Sequence, residues 1–516
     1  MRRLAVLSLV ILLVVTAGVA PATLTLSSPV EAQSQPTPMA DWRQYDADEE
    51  LEIDDSDGLN DEELDAVVSR TMVRVEETRG IEFEERPSVR LITREEFQTE
   101  LPDRGGNPSH EAVAFQNGKY QALFLVGDDE NALDAREKNL GTAVGAFYSP
   151  ANEEIVVVSD SDPARLNELT LAHELVHAYQ DQRWGLANYD EETSDGRNAQ
   201  LGLIEGEAVY VENLYEDRCE ADWECMMPPD AGSDESTPSS QPANVGVLLL
   251  DFQPYDSGPT FVETAHRSGG WDAVDALHDA PPETAEQVIV PDAYPEDDPR
   301  EVRIEDTNSG DWERVEPGDA PNNDQLGMGA ITTMFVNPLY DSGGQEWVVP
   351  ADEWFTSQND PPEYGMFNYD SEYATGWDGD RLHIYENGDE LGYVWKLAWD
   401  TPADAETFVS GFDELLAYWS AERVESDTYV VEEGGYDGAY HVAVEGDTVT
   451  ITYAPDIESL TAVSEAAQPG TDASAPETAT DDDREGPIDI RVLLEFGVVA
   501  TTLALVLGAY LLVRRR

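Results

Sequence analysis

Lysine is almost missing from this chain of 516 residues: Lys119, Lys138 and Lys396 are the only three. Basic residues number 29 in all against 108 acidic ones, a formal net charge of −79. That shortage excludes DNA or RNA as a partner, because nucleic-acid binding needs a basic stripe to meet the phosphates. It also sets a condition for folding. A single-sign charge of this size pushes a compact state apart at low salt. At molar salt the Debye length is about 3 Å and the repulsion is largely screened. The surface therefore reads as halophilic. Disorder is excluded by what remains, since 41% of the residues are hydrophobic, with 11 Trp and 21 Tyr, enough for a substantial core.

Other things are scarce. No Asn-x-Ser/Thr acceptor with x other than proline occurs, so N-glycosylation is not expected. There is no Gly-rich phosphate loop, no serine-nucleophile motif and no internal repeat. Long apolar runs occur only at the two ends. Residues 4–19, behind Met1-Arg2-Arg3, have the form of a secretory signal within 1–32. Residues 496–513 are long enough to span a bilayer, within a segment 492–513, and Arg514-Arg515-Arg516 follows as a cytoplasmic tail would. The expectation is a single-pass protein of the cell membrane with a large extracellular N-terminal domain. An acidic Pro/Thr/Ser stalk over 461–487 would join domain and anchor. The only two cysteines, Cys219 and Cys225, then lie in an oxidising compartment and are expected to form a small-loop disulfide.

Histidine is also rare, with seven in the chain, yet two of them form His173-Glu174-Leu175-Val176-His177. Leu166, Leu169, Ala172, Val176 and Tyr179 trace an apolar stripe beside the histidines, and no Gly or Pro interrupts before Gly185. The spacing predicts a helix, started by Asp162-Pro163. Histidines four apart share one helical face and can both reach one Zn²⁺. Glu174, about 100° around the helix, is placed to act as a base towards the water that such a metal activates. A catalytic zinc needs a third protein ligand. Leu203-Ile204-Glu205-Gly206-Glu207-Ala208 offers two on a second helix, over about 198–215. Glu205 and Glu207 lie about 200° apart, so only one can face the metal. Glu205 is the leading candidate and Glu207 the alternative. Glu212 returns to the Glu205 face two turns on, out of ligand reach. Gly206 and Ala208 would press this helix against the first. Upstream, 144–148 and 154–158 read as paired strands, a layout in which an edge strand can take up a peptide by β-addition.

These residues resemble the thermolysin-like gluzincin metallopeptidases, whose zinc is held by His-Glu-x-x-His and a glutamate from a following helix. The Glu-Gly-x-Ala setting of Glu205 is similar to the third-ligand segment of zinc aminopeptidases. Residues 171–182 look most like a little-characterised group of predicted secreted metallopeptidases of bacteria and archaea, in a membrane-anchored branch from extreme halophiles. Phe261-Val262, Gly269-Gly270-Trp271, Pro281-Pro282, Glu286-Gln287 and Trp377-Asp378-Gly379-Asp380-Arg381 extend the likeness across roughly 60–460. The resemblance implies a zincin-like core that hydrolyses peptide bonds, with Zn²⁺ on His173, His177 and Glu205 and Glu174 as catalytic base. Its substrate would be a protein or peptide. The alternative is a non-catalytic zincin scaffold serving as a surface-binding or envelope-structural protein. There are departures. Val209 stands where thermolysin has an aspartate that supports a ligand histidine, and Asp181 is the candidate to replace it. Val290 stands where a histidine is expected. Tyr210 is considered as an oxyanion stabiliser.

The expected fold class is α+β: a zincin-like core over 40–300, a C-terminal α+β part over 301–460, and one C-terminal membrane-spanning helix. Residues 59–78 read as helix, 88–93 as strand, 227–242 as loop, and 272–302 as helix and then a proline-rich stretch. Strands are expected at 381–386 and 393–399, a Thr401-capped helix to about 418, and a hairpin of 441–444 with 448–453. That order, β-β-α-β-β, implies a small antiparallel sheet with a helix. His383 and His441 read as core or surface histidines, and His266 and His278 as residues that could approach the site. Oligomeric state is not legible.

Overall fold

This computed structural model describes residues 41–53, 57–100, 108–227, 242–318, 320–357 and 364–468. The expected signal segment, nearly all of the 227–242 loop, most of the stalk and the C-terminal apolar run lie outside these residues.

Helix α1 (Asp61–Arg79) starts at Asn60, whose side chain accepts from the Glu62 and Glu63 amides while Glu63 accepts from the Asn60 amide; it ends at Gly80 in the left-handed region. Then come β1 (Ser88–Thr93), α2 (Arg94–Glu100), α3 (His110–Ala122), α4 (Ala132–Ala143), β2 (Ala146–Ser149), β3 (Glu154–Ser159), α5 (Glu168–Trp184) and α6 (Ser194–Ala221). The three strands form a sheet in the order β1-β3-β2, with β1 parallel and β2 antiparallel to β3. Alternation sorts its faces. Ala146, Tyr148, Ile155 and Val157 join α1, α5 and α6 in one core, while Phe147, Val156 and Val158 pack with Ile92 and Phe97 opposite. Helix α5 begins later than Asp162-Pro163 suggested. Ser159 Oγ accepts from the Ser161 and Arg165 amides and holds a bend, and Asn167 caps the helix instead.

Helices α5 and α6 run antiparallel. Glu168 meets Tyr215, His173 meets Glu212, His177 meets Glu205, and Gln180 meets Ile204, so one series rises as the other falls. Gly206 was expected to press on α5. It faces α7 (Val245–Gly269) instead, where a Cβ would stand 2.4 Å from the Gly258 carbonyl carbon. Adjacent helical residues differ by about 100°, so a helix that turns Glu205 towards α5 turns Gly206 elsewhere.

The remainder is α8 (Trp271–Asp279), α9 (Ala285–Ile289), β4 (Glu313–Arg314), β5 (Asn323–Asp324), α10 (Gly327–Asp341), α11 (Ala351–Trp354), β6 (Trp377–Asn387), β7 (Glu390–Trp399), α12 (Pro402–Tyr418), β8 (Glu422–Glu425), β9 (Thr428–Val431), β10 (Gly438–Glu445), β11 (Thr448–Ala454) and α13 (Ile457–Val463). Its strands make an antiparallel eight-stranded sheet, β4-β6-β7-β11-β10-β9-β8 with β5 also on β6. The expected β-β-α-β-β order therefore gains a hairpin, β8–β9, between helix and final strands. Phe335, Trp395, Phe408 and Tyr440 of this part share one core with Phe115, Phe124, Leu248 and Leu249, so the boundary placed at 300 cuts through a common core. Polar joints reinforce it. Asp324 accepts from the Ser194 amide and hydroxyl at the start of α6, and Asp380 accepts from the Leu326 and Gly327 amides and the Trp377 and Trp395 indoles.

The α+β class holds, with one correction. Among the described residues no helix is long and apolar enough to cross a membrane. The two longest, α6 and α7, carry Glu205, Glu207, Glu212, Asp251, Asp256 and Glu263 along their lengths. The run 496–513 lies outside the described residues, and the single-pass anchor and extracellular placement built on it are withdrawn. The stalk is shortened too: residues 457–463 are helix α13, and Ala467 is buried behind it.

Candidate metal centre

His173 and His177 occupy successive turns of α5, with ring centroids 4.8 Å apart, and Glu205 reaches them from α6. Glu205 Oε2 lies 3.3 Å from His173 Nε2 and 3.2 Å from His177 Nε2. One ligand atom from each of the three residues falls within 4.8 Å of the others, an arrangement able to hold a metal ion. All three are fully buried, as is Glu174. The bonding is incomplete in an informative way. His177 Nε2, Glu205 Oε1 and both carboxylate oxygens of Glu174 are buried without a hydrogen-bond partner. Leaving such groups unpaired costs about 1–3 kcal/mol each, and more when charged. Two imidazoles and a carboxylate converging at one point are a donor set that suits Zn²⁺.

Charge supports the same fit. Burial opposes ionisation of Glu205, but His177 and His173 outweigh it and hold its pKa down to about 2. Burial likewise opposes protonation of His173, yet Glu205 and Glu212 raise its pKa to about 10. The carboxylates demand positive charge, and a divalent cation would supply it in place of protons. Burial raises the pKa of Glu174 to about 7, with His177 and His173 pulling the other way.

The histidines are held from behind. His173 Nδ1 lies 3.0 Å from Glu212 Oε2, and His177 Nδ1 lies 2.9 Å from Gln180 Oε1. Both contacts leave Nε2 to face Glu205, the role that an outer carboxylate or carbonyl plays for metal-bound histidine. Asp181 does not take it: its carboxylate accepts from Tyr148 OH and the Leu186 amide, tying α5 to β2 and to its own exit loop. Glu207 does not point to the cluster either. It accepts from Arg79 Nε, from Gln180 Nε2 at 2.7 Å and from His278 Nε2 at 2.8 Å. Tyr210 OH contacts His266 Nδ1 at 3.0 Å in an aromatic group with Trp271. His383 contacts Asp306 and His441 approaches Asp427, both within the large sheet. Cys219 and Cys225 are joined in a disulfide at the end of α6.

Sequence reasoning missed three of these roles. Gln180 was discoverable, since three residues past His177 puts it on the same helical face. Glu212 was placed on the correct face but judged only as a metal ligand. Glu168, which accepts from Arg70, Arg74, Tyr215 and the Met226 amide, carried no local signal because its partners lie far away in sequence.

The family described as a domain of unknown function (DUF8575) matches residues 313–464, the span from β4 through α13. That match covers the large sheet and does not include α5 or α6. No curated protein and no solved structure matches the chain.

Proposed function

We propose that this protein is a zinc-dependent peptidase of gluzincin type. The observation that carries the reading is the convergence of His173, His177 and Glu205 beside a buried glutamate, Glu174, whose carboxylate oxygens make no hydrogen bond among the described residues. Zn²⁺ bound there would polarise the peptide carbonyl and activate water. Glu174 takes the proton from the attacking water and delivers it to the leaving amine, and its lack of a competing hydrogen bond keeps it available. Glu212 and Gln180 hold the two imidazoles with Nε2 forward. The expected uptake of a peptide by β-addition at strand β2 is not supported: β2 pairs with β3 alone among the described strands, but Ala146, Phe147 and Tyr148 are buried along it, so that edge is covered.

A second reading, a zinc-holding scaffold without turnover, draws on one observation: His173, Glu174, His177 and Glu205 have no exposure. One experiment separates the two. The full chain, loaded with zinc in molar salt, should hold about one zinc and cleave members of a broad peptide library. Glu174→Gln should retain the zinc and lose cleavage, whereas His177→Ala should lose both. Zinc binding with wild type and Glu174→Gln equally inert would favour the scaffold. Failure of wild type to bind zinc would reject both.

A further inference from the structure

Glu207, two residues from the proposed ligand Glu205, is fully buried and heavily hydrogen-bonded, and its place in the molecule is not explained by metal binding. Its Oε2 accepts from Gln180 Nε2, and Gln180 Nε2 also donates to the Ile204 carbonyl at 3.0 Å. A carboxylate and a carbonyl only accept, so this side of the Gln180 amide must be its NH₂. The other side is then the carbonyl oxygen, 2.9 Å from His177 Nδ1. An oxygen there requires Nδ1 to carry a proton and leaves Nε2, which faces Glu205, as the nitrogen free to take a metal. Behind Glu207 the chain of contacts continues. Arg79 holds Oε1, and His278 Nε2 holds Oε2 while its Nδ1 meets Tyr189 OH at 2.6 Å and its ring stacks on Trp184 at 4.0 Å.

We infer that Glu207 is a positioning residue: anchored by Arg79 and His278, it locks the Gln180 amide in one orientation and thereby fixes the tautomer of His177. The inference rests on the zinc reading for its effect on the metal, but the tautomer lock itself does not.

The test is a double-mutant cycle on the full chain in molar salt. Zinc affinity is measured by chelator competition for wild type, Glu207→Gln, Gln180→Leu and the double variant, and the thermal midpoint of each zinc-free protein is recorded. Each single variant should weaken zinc about 10–100-fold, the usual effect of losing an outer partner of a ligand histidine. The double variant should be no weaker than the worse single variant, because Glu207 acts through Gln180. Losses that multiply, or unchanged zinc affinity in folded Glu207→Gln, would overturn the inference. If Glu207→Gln fails to fold because Arg79 is left uncompensated, the pair Arg79→Gln/Glu207→Gln removes both charges and takes its place. A second readout needs no metal. In ¹⁵N-labelled zinc-free protein the His177 Nδ1–H proton should be slow to exchange in wild type and fast in Gln180→Leu and Glu207→Gln. A protected proton in all three rejects the lock. If wild type binds no zinc yet shows this pattern, the metal reading fails and the lock stands.

Discussion

Glu205 and Glu207 show how far two residues on one helix can diverge. The 200° between them turns one to the histidines of α5 and the other to Arg79, His278 and Gln180, and burial opposes the ionisation of both before those partners outweigh it. This choice was half legible: helical spacing shows that the two cannot share a target, but the target of each depends on which helices lie alongside. Asp181 was misjudged for the same reason, since its stripe was right and its neighbour, Tyr148, was not foreseeable. Asp256 on α7 yields a prediction at this scale. It is buried and accepts from the Met366 and Phe367 amides, and burial raises its pKa to about 7 against their opposing pull. A carboxyl with a raised folded pKa binds its proton more tightly folded than unfolded. Its contribution is therefore full below the unfolded value of about 3.9 and is lost as pH rises through about 7. Thermal midpoints in molar salt should fall between about pH 4 and pH 8 less steeply for Asp256→Asn than for wild type. Equal slopes would show that Asp256 ionises in the fold without penalty.

At the scale of elements, caps and periodicity located α1, α5, α6, α12 and the strands β1, β2, β3, β6, β7, β10 and β11, whereas α2, α3, α4, α7 and α10 were not read. Thr401 starts its helix as its sequence suggests, and Asn60 caps α1, which begins two residues after the expected start at 59; both carry capping boxes. The β8–β9 hairpin also escaped, because Glu422–Glu425 is largely exposed and charged and offers no apolar alternation to read. The long-range ties escaped as well. Glu168 at the start of α5 binds Arg70 at 2.8 Å and Arg74 at 2.7 Å, with all four residues of the group (Tyr215 included) buried. It fastens the first turn of the histidine helix to α1, to α6 and, through the Met226 amide, to the segment after the disulfide. Glu168→Ala would leave two buried guanidinium groups without their carboxylate. Such a loss costs about 3–5 kcal/mol, so urea unfolding of the variant should shift by that amount, and a shift under about 1 kcal/mol would mean that the tie does not hold α5.

For the whole molecule, the placement of the few bases sharpens the charge argument. Arg70, Arg74, Arg79 and Lys119 are buried against Glu168, Glu207 and Asp324. They balance internal carboxylates and do nothing to dilute the field outside. These four bases are therefore unavailable to offset acidic groups at the surface. Like charges closer together than the Debye length repel with little screening, and that length grows from about 3 Å at 1 M to about 10 Å at 0.1 M. The full chain should keep its far-ultraviolet dichroism and buried-tryptophan fluorescence in molar salt and lose both cooperatively on dialysis to about 0.1 M. If screening is the cause, NaCl and KCl at equal ionic strength should restore the fold equally. A native signal that persists at low salt would remove the halophilic reading. Rescue by one cation alone would replace general screening with specific ion binding on the acidic surface.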